Sequence, residues 1–397
     1  MTALVGILNK RAVAVAADSA VTVTSAADGS KKIYNTAQKI FRLAEAQPVG
    51  VMIYNNVEFM QTPWDVLIKL YHDRHGQRNL PTLKAYKEDF VRFLHDHHFF
   101  TSEAEQRAML TEALRTLVRK VYESAMQEYE QAHDDKFDDL PLAAQKPYYE
   151  KWTAALIAGC HDDGLSAAFA DYTCEAFRAY ADVVLTAFYA ELRQADIPAD
   201  PAMWEPAFYA FLCSQRMWDY TGLVFVGYGS EQIYPALYEM AIDIGFDGRL
   251  RTLEGNESYS VITSDNSSEI MSFAQDDVIR TLLKGLAPDI KAHYDDAILD
   301  ALDGMGPEVA HQKMRTLESI NVTIDATIGD EYICGLYRSV AFFNVQDMAT
   351  MAESLISITN LQRHFTSSEE SVGGPIDVAV ITRSEGFTWV KHKNQQQ

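Results

Sequence analysis

The first 19 residues, MTALVGILNKRAVAVAADS, contain two short apolar runs at residues 4–8 and 12–17. Both runs are rich in Val, Ile, Leu and Ala, and their lengths are typical of short β-strands. Residues 9–11 lie between them and have the length of a three-residue hairpin loop. This stretch therefore predicts that the chain opens with a β-hairpin.

Two further apolar runs follow at residues 39–43 and 49–54, separated by a segment that ends in Pro48. Proline is common in turns because its ring fixes the backbone and removes a hydrogen-bond donor. With the first hairpin, these runs predict an antiparallel sheet over the first 60 residues.

The middle of the chain has a different pattern of apolar residues. Residues 63–219 repeat apolar side chains at helical spacing, whereas strand-like runs return at residues 222–228 and 376–382. Neither terminal block alone has enough strands to bury a sheet, so the pattern favours one sheet system interrupted by an insertion. The predicted division is a core of residues 1–62 and 220–397, with a mostly helical insertion between them that includes core-flanking helices.

Composition narrows the classes of partner. The 397 residues include 34 Lys and Arg against 56 Asp and Glu, a formal net charge of −22, which argues against nucleic acid or an anionic membrane as a partner. No run approaches the roughly 18 apolar residues of a membrane span, and the four cysteines show no close pairing. A cytoplasmic protein is predicted. The histidines lack a zinc-ligand spacing, so neither a metal nor another cofactor is expected.

Thr2 is the residue that removal of Met1 would expose. A threonine with a free α-amine is nucleophile and base in one residue, because an amine with a pKa of roughly 7.7–8 accepts the hydroxyl proton. A hairpin loop centred on Lys10 pairs residues whose numbers sum to 20, which sets Thr2 opposite Asp18. Lys39, opening the third run, would favour the deprotonated amine. The structural alternative is that Asp18 only forms a turn or caps a helix.

Three blocks of the sequence, in order, resemble proteasome β-type subunits, and most closely their bacterial relatives HslV and Anbu. The first block comprises MTALVGIL, VAVAADS and QKIFRL within residues 1–43. The second is FVGYGSEQIYPALY at residues 225–238, and the third is SVGGPIDVAVI at residues 371–381. The resemblance covers roughly residues 1–62 and 220–390, and the helical block is an extra.

The resemblance implies an N-terminal nucleophile hydrolase of the α+β class. Its expected fold is a four-layer αββα sandwich of two antiparallel sheets, here with a mostly helical insertion. Carried over by position, Thr2 is the nucleophile and general base, Asp18 the supporting acid and Lys39 the lysine that tunes the amine. Lys31 and Lys32 compete for that last role on spacing.

The remaining site positions depart from the family pattern. The family has a glycine amide as oxyanion donor where the fourth strand ends, and Asn55 stands near that point; asparagine tolerates unusual backbone angles, so its amide is the candidate donor. Ser272 or Gln275 falls where the family's supporting serine is expected. The residues that crowd the last supporting position are Glu369, Glu370 and Ser371.

The resulting prediction is a proteasome-like threonine peptidase that hydrolyses peptide bonds through an acyl-enzyme on Thr2, within a homo-oligomer. The resemblance implies assembly into a ring or helical stack, peptide or unfolded-protein substrates, and an ATPase unfoldase as partner. Two alternatives stay open. The large insertion could act as a lid in an amidohydrolase for small amides, and Asn55 in place of glycine suits a catalytically inactive scaffold or effector.

Overall fold

The computed structural model describes residues 2–24, 31–34, 37–253, 259–303, 312–366 and 373–393. Within these ranges the chain is a mixed α/β structure whose strand pairings are antiparallel. No helix in the described ranges is long and apolar enough to cross a membrane.

The strands are numbered in chain order. They are β1 (Ala3–Asn9), β2 (Ala12–Asp18), β3 (Val21–Thr24), β4 (Lys31–Tyr34), β5 (Ile40–Arg42), β6 (Val49–Asn55), β7 (Glu58–Phe59), β8 (Thr62–Pro63), β9 (Thr221–Gly227), β10 (Ala236–Phe246), β11 (Arg249–Leu253), β12 (Tyr259–Val261), β13 (Ser268–Ala274), β14 (Ile376–Thr382) and β15 (Gly386–Lys391).

The helices lie mainly between β8 and β9 and between β13 and β14. They are α1 (Trp64–His75), α2 (Leu83–Asp96), α3 (Glu103–Ala132), α4 (Leu142–Asp163), α5 (Cys174–Gln194), α6 (Pro201–Cys213), α7 (Asp277–Lys284), α8 (Pro288–Asp303), α9 (Lys313–Ile328), α10 (Cys334–Phe342) and α11 (Val345–Thr366). Single 3-10 turns occur at His98–Phe100, Phe137–Asp139 and Ala167–Phe169, and a π turn at Gly329–Ile333.

Strands from both ends of the chain share two sheets. The first has the order β13-β1-β2-β14-β15, and the second the order β11-β10-β9-β6-β5, with β12 also paired to β10. The pairs β14–β2 and β9–β6 join segments that the helices separate in the sequence. The division into a core of residues 1–62 and 220–397 with a helical insertion stays a prediction.

Three apolar cores hold the sheets and helices together. Leu4 and Leu8 of β1 meet Met52 and Val224 of the second sheet in a core between the two sheets. The other face of the first sheet packs on α10 and α11, and the other face of the second sheet packs on α1–α6. Fully burying one such aliphatic side chain contributes about 1.5–3 kcal/mol, so these contacts fix which face of each strand points inward.

The β1–β2 hairpin differs from the sequence prediction by one residue. Its last paired residues are Leu8 and Val13, so residues 9–12 form a four-residue turn rather than a three-residue loop. The Asn9 side chain explains the difference, because its Oδ1 accepts the backbone N–H groups of Arg11 and Ala12 over 2.8 and 3.2 Å. Such local side-chain bonds stabilise a turn directly.

This turn changes the residue that faces Asp18. Paired residue numbers sum to 21, as in Leu4 with Ala17, so continuing the register sets Ala3 opposite Asp18. The prediction that Thr2 lies directly opposite Asp18 is therefore wrong by one position. Thr2 is instead the neighbour of the residue that Asp18 contacts.

Candidate active site

Asp18 is a buried carboxylate at the end of β2, with 1 % of its surface exposed. Its Oδ1 accepts the backbone N–H of Ala3 over 2.9 Å and the Lys39 ammonium over 2.7 Å. Its Oδ2 accepts the backbone N–H groups of Ala20 and Gly373, each over 3.2 Å. Four donors from four segments satisfy this carboxylate, so it can stay charged although it is buried.

Lys39 lies just before β5 and is 2 % exposed. Besides Asp18, its Nζ donates to the Ala20 carbonyl over 2.6 Å, and its own carbonyl accepts the N–H of Ile53 over 2.9 Å. Burial lowers the pKa of the Lys39 ammonium, while the Asp18 carboxylate partly opposes that shift. The side chain is thus a fixed cation that loses its proton more readily than an exposed lysine.

Thr2 immediately precedes β1 and is 4 % exposed. Its carbonyl accepts the N–H of Gln275 over 3.2 Å, which ties it to the end of β13. Leu4, two residues further on, lies in the core between the sheets. Continuing the alternation of β1 back to Thr2 would direct its side chain toward that core. Ile40, the neighbour of Lys39, belongs to the same core.

Asn55 ends β6 in an uncommon backbone conformation. Its φ is 64°, in the left-handed region, and its side chain is exposed. It lies two residues beyond Ile53, whose N–H binds the Lys39 carbonyl, so it is at the Lys39 end of the sheet. A left-handed residue turns its peptide groups away from the strand direction, which is what a backbone donor at a strand end requires.

The predicted supporting residues are separated by the structure. Ser272 pairs with Val5, three residues into β1 from Thr2, and alternation puts it on the face of β13 that packs against helices. Gln275 is the one that meets Thr2, through its backbone N–H. Glu370 and Ser371 lie outside the described residues.

The competing lysines occupy another element. Lys31 and Lys32 lie in β4, which pairs with β3 in a separate two-stranded ribbon. Their side chains are outside the described part of the chain. Lys39 is the lysine whose contact with Asp18 the structure describes.

The sequence did not predict two charged residues near Asp18 and Lys39. Asp377, on β14, is 2 % exposed and lies opposite Ala17. The backbone N–H of Lys393 donates to its Oδ1 over 2.8 Å, and Lys393 Nζ is 3.5 Å from its Oδ2. Burial lowers the pKa of the Lys393 ammonium, and Asp377 partly opposes the shift. An acid inside the otherwise apolar run 376–381 was the available signal.

A cavity of about 510 Å³ opens beside Tyr54, the residue before Asn55. The Tyr54 hydroxyl donates to Glu239, and both burial and this carboxylate raise the pKa of the phenol. The Tyr54 ring stacks on Phe273 with centroids 6.2 Å apart, and Phe273 pairs with Leu4 of β1. Among the other lining residues are Tyr220, Arg216 and Asp163.

Comparison with known proteins gives one distant likeness to report. No protein-family model matches the sequence, and no curated protein matches it. Among solved structures, the chain is similar to an Anbu (Gly-1) mutant from Hyphomicrobium sp. strain MC1, with 12 % identity and a TM-score of 0.28. The likeness covers 99 % of this chain and 86 % of that chain. At this level it carries no chemistry across, and the site stands on its own contacts.

Proposed function

We propose that this chain is a threonine-type N-terminal nucleophile hydrolase that cleaves peptide bonds. The observation that carries the proposal is the buried Asp18–Lys39 pair, whose carboxylate also binds the backbone of Ala3, next to Thr2. A buried ion pair is costly to desolvate and is weak evidence for stability. The proposed chemistry requires a lysine near the Thr2 amine, and Asp18 links Lys39 to the backbone of the residue that follows Thr2.

The reaction starts once Met1 has been removed and the Thr2 amine is free. The amine takes the hydroxyl proton as Thr2 Oγ1 bonds to the substrate carbonyl carbon. The peptide C–N bond then breaks, and the protonated amine gives its proton to the leaving nitrogen, which leaves an ester on Thr2. Water, deprotonated by the same amine, hydrolyses that ester and restores the hydroxyl.

The charges around Thr2 support both halves of this cycle. The Lys39 ammonium disfavours a second positive charge nearby, so it holds the Thr2 amine neutral at neutral pH. It also stabilises the negative charge that develops on oxygen in the transition state. Asp18 keeps Lys39 in place, and the backbone amide of Asn55 serves as the oxyanion donor.

The finer architecture and the partners belong to the same proposal. The proposed architecture is the four-layer αββα sandwich of this hydrolase class, and the helices that pack on the two antiparallel sheets support it. We assign the cavity beside Tyr54 to the substrate. Self-association into a ring or helical stack, and an ATPase that delivers unfolded protein, complete the proposed working unit.

Intact-mass measurement tests the proposal directly. The purified protein is weighed before and after incubation with a peptide epoxyketone or vinyl sulfone, which reacts with catalytic N-terminal threonines. We expect the mass of the chain without Met1 and one covalent adduct. Thr2→Ala should give no adduct, whereas Thr111→Ala, which removes a hydroxyl bonded within α3, should react like the parent protein.

Two outcomes would count against the proposal. Retention of Met1 on protein that still hydrolyses peptides would exclude the Thr2 amine as base. Full hydrolysis by Thr2→Ala would exclude Thr2 as nucleophile. A panel of unfolded protein, short peptides and small amides then identifies the substrate class, and cleavage restricted to small amides would favour the amidohydrolase alternative.

A further inference from the structure

The segment after β15 brings a second lysine to the candidate site. Lys393 Nζ donates to the carbonyl of Ala37, two residues before Lys39. The same ammonium lies 3.5 Å from Asp377 Oδ2, and the Lys393 N–H binds Asp377 Oδ1 over 2.8 Å. The Lys393 side chain is 10 % exposed and that of Asp377 is 2 % exposed.

Asp377 and Asp18 occupy neighbouring strands. Asp377 pairs with Ala17, and the preceding residue, Ile376, pairs with Asp18 itself. The buried carboxylates are thus one step apart along the β2–β14 ladder, and each has a lysine partner. The site contains two acids and two ammonium groups rather than a single pair.

The backbone that carries Lys39 is held from two directions. The Ala37 N–H donates to the Ser19 carbonyl over 3.2 Å, while the Ala37 carbonyl accepts from Lys393. The segment before β5 is therefore fixed between the end of β2 and the segment after β15. A two-sided attachment of this kind restricts where Lys39 Nζ can point.

We propose that Asp377 and Lys393 are positioning residues that fix the location of Lys39 and the charge around it. Lys393 orients the segment at Ala37 and repels the Lys39 ammonium, whereas Asp377 attracts it. The catalytic consequence rests on the proposed function, but the coupling of charges does not. Among the described residues, Asp18, Lys393 and Asp377 are charged groups that act on Lys39.

Lys393 lowers the pKa of Lys39 and Asp377 raises it, so removing each residue should shift that pKa in opposite directions. Lys393→Met removes a positive charge and leaves Asp377 in place, so the pKa of Lys39 should rise. Asp377→Asn removes a negative charge and leaves Lys393 in place, so the pKa of Lys39 should fall. In the double variant the two changes largely cancel. For charges this close in a buried setting, each shift should be about one pH unit.

The experiment follows the Lys39 Nζ and Cε signals by NMR through a pH titration of the full chain labelled in lysine. Lys39→Arg assigns the signal by its disappearance. The matched control is Lys391→Met. Lys391 ends β15, just before Lys393, and pairs with Glu353, so this change should leave the Lys39 titration unchanged. Lys393→Arg keeps the charge and the donor, so it should restore parent behaviour.

The pH profile of peptide hydrolysis is recorded in parallel. The basic limb should move up in Lys393→Met and down in Asp377→Asn, because activity requires the Lys39 ammonium. Shifts of the same sign, or no shift in the NMR titration, would overturn the inference even if Thr2 proves catalytic. Opposite NMR shifts in a protein that hydrolyses nothing would uphold the inference and remove the proposed function.

The conservative variant Asp377→Asn separates an effect on the pKa of Lys39 from a loss of folding. Asp377→Asn keeps the size of the side chain and its acceptor for the Lys393 N–H. Thermal unfolding of each variant shows which ones are native before titration. If Lys393→Met unfolds, Asp377→Asn and Lys393→Arg still decide the matter, since only the first should move the Lys39 titration.

Discussion

Two buried ion pairs occupy different parts of this molecule. Asp18–Lys39 has side chains 0 % and 2 % exposed, and Asp243–Arg251 has side chains 8 % and 2 % exposed. Arg251 binds both oxygens of Asp243 and also donates to the Phe211 carbonyl over 2.6 Å. Lys39 donates one hydrogen bond to Asp18 and a second to the backbone carbonyl of Ala20.

The two pairs differ in whether their cation can lose its proton. Arginine does not lose its proton in proteins, and its planar fork suits a fixed clasp, here between β10, β11 and the end of α6. Lysine is a point charge whose pKa responds to burial, as that of Lys39 does. Burial alone is common to both pairs. The first pair is distinguished by a titratable cation whose acid also binds the backbone next to Thr2.

The largest expected effect is on catalysis when the first pair is broken. Asp18→Asn removes the charge that holds Lys39 as an ammonium, so kcat/KM for a fluorogenic peptide should fall about a thousandfold or more. Asp243→Asn should stay within about threefold of the parent per folded molecule. Folded protein is quantified by circular dichroism, because adduct formation would itself depend on the reactivity of Thr2. Comparable losses in both variants would abolish the distinction between the pairs.

Stability should show the reverse order. Arg251→Met leaves the Asp243 carboxylate buried without its cation, at a cost of about 3–5 kcal/mol of unfolding free energy. Lys39→Met should cost less, about 1–3 kcal/mol, because three backbone N–H groups still bind Asp18. Urea unfolding monitored by tryptophan fluorescence measures both. A larger loss in Lys39→Met would mean that the site pair is mainly structural.

The pH dependence of stability separates the pairs further. The pKa of Lys39 lies below 10.5 in the folded chain, so between these two values the unfolded chain binds more protons. Stability from this group therefore rises with pH up to about 10.5, by about 1.4 kcal/mol per unit of displacement. Lys39→Met should lose that rise, whereas Arg251→Met should keep it. Urea midpoints between pH 7 and 10.5 provide the measurement, and identical slopes would contradict the prediction.

The sequence was sufficient for the elements that bury apolar side chains on a regular pattern. The apolar runs predict β1, β2, β6 and β14, whereas the catalytic roles of Asp18 and Lys39 stay a prediction. The hairpin register was missed because the side-chain bonds of Asn9 close the turn, and composition does not report them. Helix α8 was not predicted, although Ile290, Tyr294 and Ile298 recur at helical spacing, and none of its residues is buried in the structure.

The second half of the charge cluster was beyond the sequence for a different reason. Lys393 reaches Ala37 across 356 positions of the chain, and a tail lysine surrounded by polar residues looks like any solvated one. Asp377 could have been noticed as an acid in an apolar strand. Its partner could not, because only the fold brings the end of the chain back beside β5.

The smallest expected effect concerns the backbone next to the first pair, at Asn55. Its φ of 64° suits glycine at least as well as asparagine, so Asn55→Gly should change stability by less than about 1 kcal/mol and keep the peptidase rate within about threefold. Asn55→Val has a β-branched side chain that resists this conformation and should cost about 1–2 kcal/mol while slowing acylation. The comparison works because the proposed oxyanion donor is the backbone amide, which glycine retains in the same geometry. A large loss of rate in Asn55→Gly without loss of stability would assign the role to the asparagine side chain instead.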